Sequence, residues 1–493
     1  MLYYSTRDSK NKKDALYAIK NGIASDGGLF IPEVIPSVSK EAFEKMKDME
    51  YYERAAYILS LFIEEIPHST LLEDCKKAYS SFTPSPAPIH KLEDGKYVLE
   101  LFHGPTCAFK DMALQIMPRL LSRAIMASDD TRDALILTAT SGDTGKAALE
   151  GYKDADRIKI MVFYPENGVS ETQKLQMRTQ TGDNLSVVAI NGNFDDAQSG
   201  VKSIFADGAA ASALSEKGFF LTSANSINWG RLAPQIAYYF SLTVDIIKDG
   251  ATSPIDVVVP TGNFGNILAA YYAKRMGAPI GKLICASNSN DVLTVFLKTG
   301  VYDKNRPFYT TISPSMDILL SSNLERLLAI LSSPEECAVY MENLSRYGKY
   351  TVSDSLKKEL DSLFSAYCVD EDSCKETIKS TYYNYSYLID PHTAVAVRAS
   401  ELYIKEEKSA SSSVAVVSTA SPYKFAESVL TSIYGQSTDS TDAEEVLFDK
   451  TSVPIPKPLS DLRKKKIRFS KTVNPCEMTS AVLDFADSFS KKK

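Results

Sequence analysis

Lys110 closes the stretch Glu100-Leu-Phe-His-Gly-Pro-Thr-Cys-Ala-Phe-Lys110, where a Gly-Pro turn precedes a long apolar-periodic segment. A lone lysine in that position has little structural reason to be there. Two glycine-rich loops follow it, Thr140-Ser-Gly-Asp-Thr-Gly145 and Thr261-Gly-Asn-Phe-Gly-Asn266. Each comes after a β-rich run and opens a helix. Glycine lets a ligand approach the backbone closely, and the first turn of a helix leaves N–H groups free for an anion. The pattern reads as one amine nucleophile beside two cradles for anionic groups.

Familiar nucleotide motifs do not account for these loops. A phosphate-binding P-loop needs glycine where this chain has Thr140, and Ser or Thr where it has Ala147. Gly262-Asn-Phe-Gly-Asn266 also lacks the dinucleotide spacing G-x-G-x-x-G. Ser141, Asp143 and Thr144 are good helix caps, but capping explains one such residue better than a cluster of them. Asn225-Ser-Ile-Asn-Trp-Gly-Arg231 puts Ser226, Asn228 and Arg231 ahead of an apolar helix, a combination suited to a phosphate or carboxylate. His103 stands near the lysine in sequence, as a proton carrier or, on the blander reading, a packing residue. With four histidines in the chain and His103–Cys107 the only pair at helical spacing, no metal site is expected.

These residues need a scaffold, and the chain shows a β-then-α rhythm. Ala134–Ala139, Ile158–Phe163, Asp256–Val259, Lys282–Ala286 and Val414–Val417 are short and apolar, as strands buried on both faces of a parallel sheet are. The reading is an α/β fold with its site at the carboxyl ends of strands. Residues 1–90 are expected to be a helical domain, with Tyr51–Ile66 as one amphipathic helix. The proline-rich stretch Phe82–Ile89 links it to a core spanning 91–440, with a nested smaller αβ subdomain at about 134–235. A helical insertion at about 340–390, a serine-rich loop at Ser409–Ser413 and a C-terminal extension over 441–493 complete the expected layout.

Bulk properties narrow the partners. The chain has 493 residues and a net charge of −7, which offers no basic surface for nucleic acid. It has no apolar run long enough for a membrane span, and no secretion signal is expected. Seven scattered cysteines suit free thiols in a reducing cytoplasm.

Taken together, the motifs resemble the threonine synthase family in its longer bacterial and fungal form. Asp26-Gly-Gly-Leu-Phe-Ile-Pro32 resembles the family's N-terminal signature, and Phe109-Lys110-Asp111 its cofactor-lysine motif. Ser141–Gly145 resembles its substrate loop, Gly262–Asn266 its phosphate cup, and Ser418-Thr-Ala-Ser-Pro-Tyr-Lys-Phe425 its late strand-end motif. The resemblance implies an α/β enzyme of fold type II, a carbon–oxygen lyase dependent on pyridoxal 5'-phosphate. Lys110 would carry the cofactor as a Schiff base, and Gly262, Asn263, Phe264, Gly265 and Asn266 would hold its phosphate. Thr419 would bond the pyridine nitrogen, and Asp143 would face the ring hydroxyl, where shorter members place asparagine. Such a carboxylate would be repelled by a phenolate-like oxygen unless one of the two is protonated. Ser141, Thr144, Ser226, Asn228 and Arg231 would meet the substrate phosphate. The implied reaction makes L-threonine and phosphate from O-phospho-L-homoserine and water, the last step of threonine biosynthesis, by a monomer or homodimer. The alternative is a phospho-lyase releasing a 2-oxo acid, ammonia and phosphate. A non-catalytic relative would not need Lys110, both loops and Thr419 together.

Overall fold

Strands that are apolar along their whole length need cover on both faces, and the two main sheets of this chain have it. The computed structural model describes residues 1–167, 169–407, 413–435 and 442–490. Its larger sheet runs in the order Phe364–Cys368, Ile280–Ser287, Ile255–Pro260, Ser413–Ser418, Lys96–Glu100, Ile89–Glu93. Every pairing in it is parallel except that of the last strand. Val257, Val259, Leu283 and Val417 face one core, while Val258, Ile284, Val414 and Val416 face another under the helices Glu371–Tyr385, Pro391–Glu407 and Ala426–Tyr434. Burying a Val or Leu side chain contributes about 1.5–3 kcal/mol, which favours continuous apolar runs over alternation here.

The smaller sheet is fully parallel, in the order Thr472–Val473, Leu185–Ile190, Ile158–Pro165, Asp133–Ala139, Phe219–Thr222. Ile136, Ile160 and Val162 join the main core. On the other face Leu137, Phe163 and Ile190 pack under Phe194–Ala206, Gly208–Glu216 and the C-terminal helix Met478–Ser490. The C-terminal segment therefore completes this sheet and its outer layer.

The long helix Trp229–Lys248 is buried along almost its whole length. Trp229 meets Tyr3, Phe62 and Tyr272 at ring distances of 5.3, 5.4 and 5.5 Å, which fastens the first residues to the core.

Three expectations change. The first residues are not only helical: Leu2–Ser5, Asp8–Asp14 and Phe30–Pro32 form a small antiparallel sheet. The helix expected over Tyr51–Ile66 ends at Ser60, and a second begins at His68. The stretch at 340–390 is not a purely helical insertion, because Phe364–Cys368 is the edge strand of the larger sheet. Its short alternating sequence, flanked by helices, gave no turn signal to mark it. Of the serine-rich loop, only Ser413 lies among the described residues, and it opens a strand. Among the described residues, no helix is long and apolar enough to cross a membrane.

Candidate active site

The carboxyl ends of the parallel strands gather the residues singled out in the sequence. Phe109 N–H donates to Thr419 O at 2.8 Å, and Ser421 N–H donates to Cys107 O at 3.1 Å. These bonds hold the lysine loop to the end of the Ser413–Ser418 strand, so Lys110 and Thr419 become neighbours although they are far apart in sequence. Lys110 then leads into the short helix Asp111–Leu114, anchored by Asp111, whose carboxylate accepts from Thr106 N–H and Oγ1–H at 2.8 Å each.

That helix lies against Asp143–Gly151, which opens at the Ser141–Gly145 loop. A Cβ on Gly151 would lie 1.9 Å from Leu114 O, so only glycine permits this approach. Gly151→Ala is expected to destabilise the fold by about 2 kcal/mol or more, as overpacking against fixed backbone does. The check is a fall in the chemical-unfolding midpoint; an unchanged midpoint would contradict the close packing.

Nζ of Lys110 donates to Ser315 Oγ at 3.2 Å and lies 3.9 Å from Asp143 Oδ2. Burial lowers the pKa of this amine to about 8, with Asp143 opposing the shift and Lys424 and Arg231 adding to it. Asp143 pairs with Lys424 at 2.6 Å and accepts from Gln173 Nε2 at 2.7 Å. Burial alone would raise the Asp143 pKa, but Lys424 and Lys110 hold it well below the usual carboxylate range. The charge that looked unfavourable in the sequence thus has a buried cation beside it.

The second cradle begins where the Ile255–Pro260 strand ends. Phe264 has φ 61°, a left-handed conformation that costs on the order of 1 kcal/mol or more for a bulky residue. Among the described residues, the N–H groups of Asn263, Phe264, Gly265 and Asn266 have no hydrogen-bond partner. Asn266 Nδ2 is also buried and unpartnered, while its Oδ1 accepts from Tyr238 and Tyr239 at 2.6 Å each. A Cβ on Gly262 would lie 2.6 Å from Ser315 O, so this turn and Lys110 share one neighbour. Free N–H groups at a helix start, an orphaned amide and a nearby, mostly buried amine fit pyridoxal 5'-phosphate.

The third group surrounds Arg231. Its Nη1 donates to Ala224 O at 2.6 Å, its buried Nε has no partner, and among the described residues no carboxylate lies within ion-pair distance. Burial lowers its pKa to about 10, opposed by Tyr152 and Tyr238, so it stays cationic at neutral pH. The Ser141, Thr144 and Ser226 hydroxyls have no protein partner among the described residues. Asn228 is engaged instead: Oδ1 caps Gly230 N–H and Nδ2 donates to Ile19 O, both at 2.8 Å. His103 Nε2 lies 2.6 Å from Glu100 Oε2 and its ring stacks on Phe102.

Lys424, Gln173 and Ser315 join the site without a sequence expectation. Lys424 belongs to the Ser418–Phe425 motif, and its register after Ser-Pro is the one signal that could have found it. Gln173 and Ser315 reach the site only through tertiary packing.

A parallel-sheet core with a mostly buried lysine and a helix-start anion cradle at its strand ends defines the fold type II pyridoxal-phosphate enzymes. The family description "Pyridoxal-phosphate dependent enzyme" matches residues 82–420, with "Threonine synthase N terminus" over 2–79 and "Threonine synthase, C-terminal" over 393–482. The chain belongs to the threonine synthase family. It is 40% identical to threonine synthase of Pseudomonas aeruginosa over 88% of this chain and 91% of that one. With threonine synthase of Saccharomyces cerevisiae it shares 36% identity over 95% of each. The structure of PLP-bound threonine synthase from Brucella melitensis aligns with a TM-score of 0.87 at 34% identity, covering 99% of both chains. The yeast threonine synthase structure gives 0.88 with the same identity and coverage. Human Threonine synthase-like 1 is 40% identical, but the alignment spans 59% of that protein's length.

Proposed function

We propose that this chain converts O-phospho-L-homoserine and water to L-threonine and phosphate, working in a reducing cytoplasm. The observation that carries the substrate class is Arg231, a buried guanidinium with an unpartnered Nε and no carboxylate beside it among the described residues. Together with Lys110 and Lys424 against Asp143, it makes the pocket electropositive, which favours a phosphorylated amino acid over a plain hydroxy-amino acid. The seven cysteines, all free, support the reducing compartment.

In this reading Lys110 carries the cofactor, Gly262 to Asn266 hold its phosphate, Thr419 meets its ring nitrogen and Asp143 its ring hydroxyl. Bound pyridoxal 5'-phosphate supplies an electron sink for carbanion chemistry at the substrate carbons. Lys110 moves the protons: with its pKa near 8, roughly a tenth of the free amine is neutral at pH 7 and able to act as a base. Ser141, Thr144, Ser226 and Arg231 bind the substrate phosphate, and Asn228 holds their turn in place. The Lys110 side chain is 12% exposed and sits among the buried Asp111, Asp143 and Lys424, which limits the access of bulk water to those protons.

The deciding experiment incubates the purified protein with O-phospho-L-homoserine and measures threonine, phosphate, 2-oxobutyrate and ammonia. Threonine and phosphate in equal amounts support the proposal; 2-oxobutyrate and ammonia without threonine would reject it. Arg231→Ala is expected to raise KM for the phosphorylated substrate ~10- to 100-fold, the worth of a charge-assisted hydrogen bond or two. An unchanged KM would remove Arg231 from the substrate site.

A further inference from the structure

One buried carboxylate, Asp390, reaches both sides of the site. Its Oδ2 lies 2.6 Å from His392 Nδ1, and the far nitrogen of that ring, Nε2, accepts the Ser315 N–H at 3.1 Å. Because Nε2 is an acceptor, the ring proton sits on Nδ1, facing Asp390. Ser315 in turn accepts from Lys110 Nζ through its hydroxyl, and its carbonyl lies against Gly262. The second oxygen, Oδ1, accepts from Thr393 N–H and its hydroxyl, and Thr393 Oγ1 lies 2.9 Å from Ser418 Oγ, one residue before Thr419. Asp390, His392, Thr393 and Ser418 are all buried. Their polar bonds are therefore made in a low-dielectric setting, where a missing partner is costly.

We propose that Ser315 is a further catalytic residue, which holds the Lys110 amine in register, and that His392 and Asp390 are positioning residues acting through it. Ser315 sits in the short 3-10 turn Pro314–Met316, and without His392 its backbone N–H would lack an acceptor. With His392 accepting that donor, the hydroxyl stays beside Nζ, and the direction in which the amine presents its lone pair is fixed. Asp390 fixes the imidazole tautomer in the way outer carboxylates orient functional histidines. Applied to catalysis, the proposal rests on the reaction proposed above. As a statement about the lysine nitrogen, it needs only bound cofactor.

The test compares the cofactor-loaded full chain with Ser315→Ala, His392→Phe and His392→Gln. Glutamine can place a carbonyl oxygen where Nε2 stands and keep the bond to Ser315 N–H, whereas phenylalanine keeps the edge-on packing with Phe425 but accepts nothing. The main readout is the pH midpoint of the visible-absorbance titration, which reports protonation at the lysine nitrogen. Asp143, Lys424 and Arg231 are the charged groups that bear on that nitrogen, and all three stay unchanged in these variants. Losing the acceptor for an N–H disfavours the protonated form, so Ser315→Ala and His392→Phe should lower the midpoint by ~0.5 unit or more, with His392→Gln close to wild type. In turnover, Ser315→Ala should lower kcat ~10-fold with KM within ~3-fold. A Ser315→Ala midpoint equal to wild type, or a His392→Gln shift as large as that of His392→Phe, overturns the proposal. If Ser315→Ala does not fold, the His392 pair gives the same decision. If wild type makes no threonine, the proposed reaction fails while the midpoints still decide the role of Ser315.

Discussion

Lys110→Ala loses turnover by at least ~10⁴-fold, and borohydride treatment traps no cofactor on the peptide that carries position 110. The size follows from the two tasks proposed for one amine, covalent attachment and proton transfer, neither of which alanine can perform. Lys110→Arg should fail equally, since a guanidinium keeps the charge but is neither a nucleophile nor a base at neutral pH. Cofactor recovered covalently on any other lysine would remove the basis of the site. The same variant also isolates a stability effect in cofactor-free protein. The folded amine has its pKa lowered to about 8, below the ordinary ~10.4 of an unfolded lysine. Between those values the unfolded chain binds more protons than the folded one, so wild-type stability rises with pH across that window. Lys110→Ala should lack this rise, and denaturant titrations at pH 7.5 and 10 would show it; identical slopes in the two proteins would mean the amine is not desolvated.

What the sequence revealed about this fold is what periodicity and turn chemistry encode. The five apolar runs read as buried strands all pair in parallel sheets, because full burial on both faces leaves a local signature that needs no partner to recognise. Phe364–Cys368 escaped notice because it is an edge strand bearing Ser365 and Cys368, and its pairing with Ile280–Ser287 is a long-range fact. Leu2–Ser5 and Asp8–Asp14 escaped for a related reason: the second is almost wholly polar, so its pairing with the first carries no hydrophobic pattern. The site divides in the same way. Lys110 and the two glycine loops announce themselves by turn residues at fixed offsets. Ser315 and His392 have ordinary surroundings in sequence, and their relation to Lys110 exists only after the larger sheet brings residues 315 and 392 together. Asp143 is visible in the sequence, but the cation that compensates its charge, Lys424 at 2.6 Å, is brought to it only by the fold.

The Asp143–Lys424 pair yields the second large effect. Lys424→Met leaves the Asp143 carboxylate buried without its nearest cation, with Gln173 as its remaining close donor and Lys110 at 3.9 Å. Breaking a buried pair from one side typically costs about 3–5 kcal/mol, because the surviving charge stays desolvated. A fall of that size is expected in unfolding free energy at pH 7. The sign of the pH dependence separates this cause from lost packing. In wild type the folded Asp143 pKa is depressed, so its contribution to stability is present above the unfolded value of ~3.9 and is lost as pH falls through the lower folded value. In Lys424→Met burial is no longer opposed by Lys424, the carboxyl protonates more readily, and the deficit should shrink on acidification. Adding Asp143→Asn to Lys424→Met should restore much of the loss at pH 7, since a neutral amide does not need the cation. A deficit that is the same at pH 5 and pH 7, and that the double variant does not relieve, would mean that Lys424 stabilises the core by its bulk rather than by its charge.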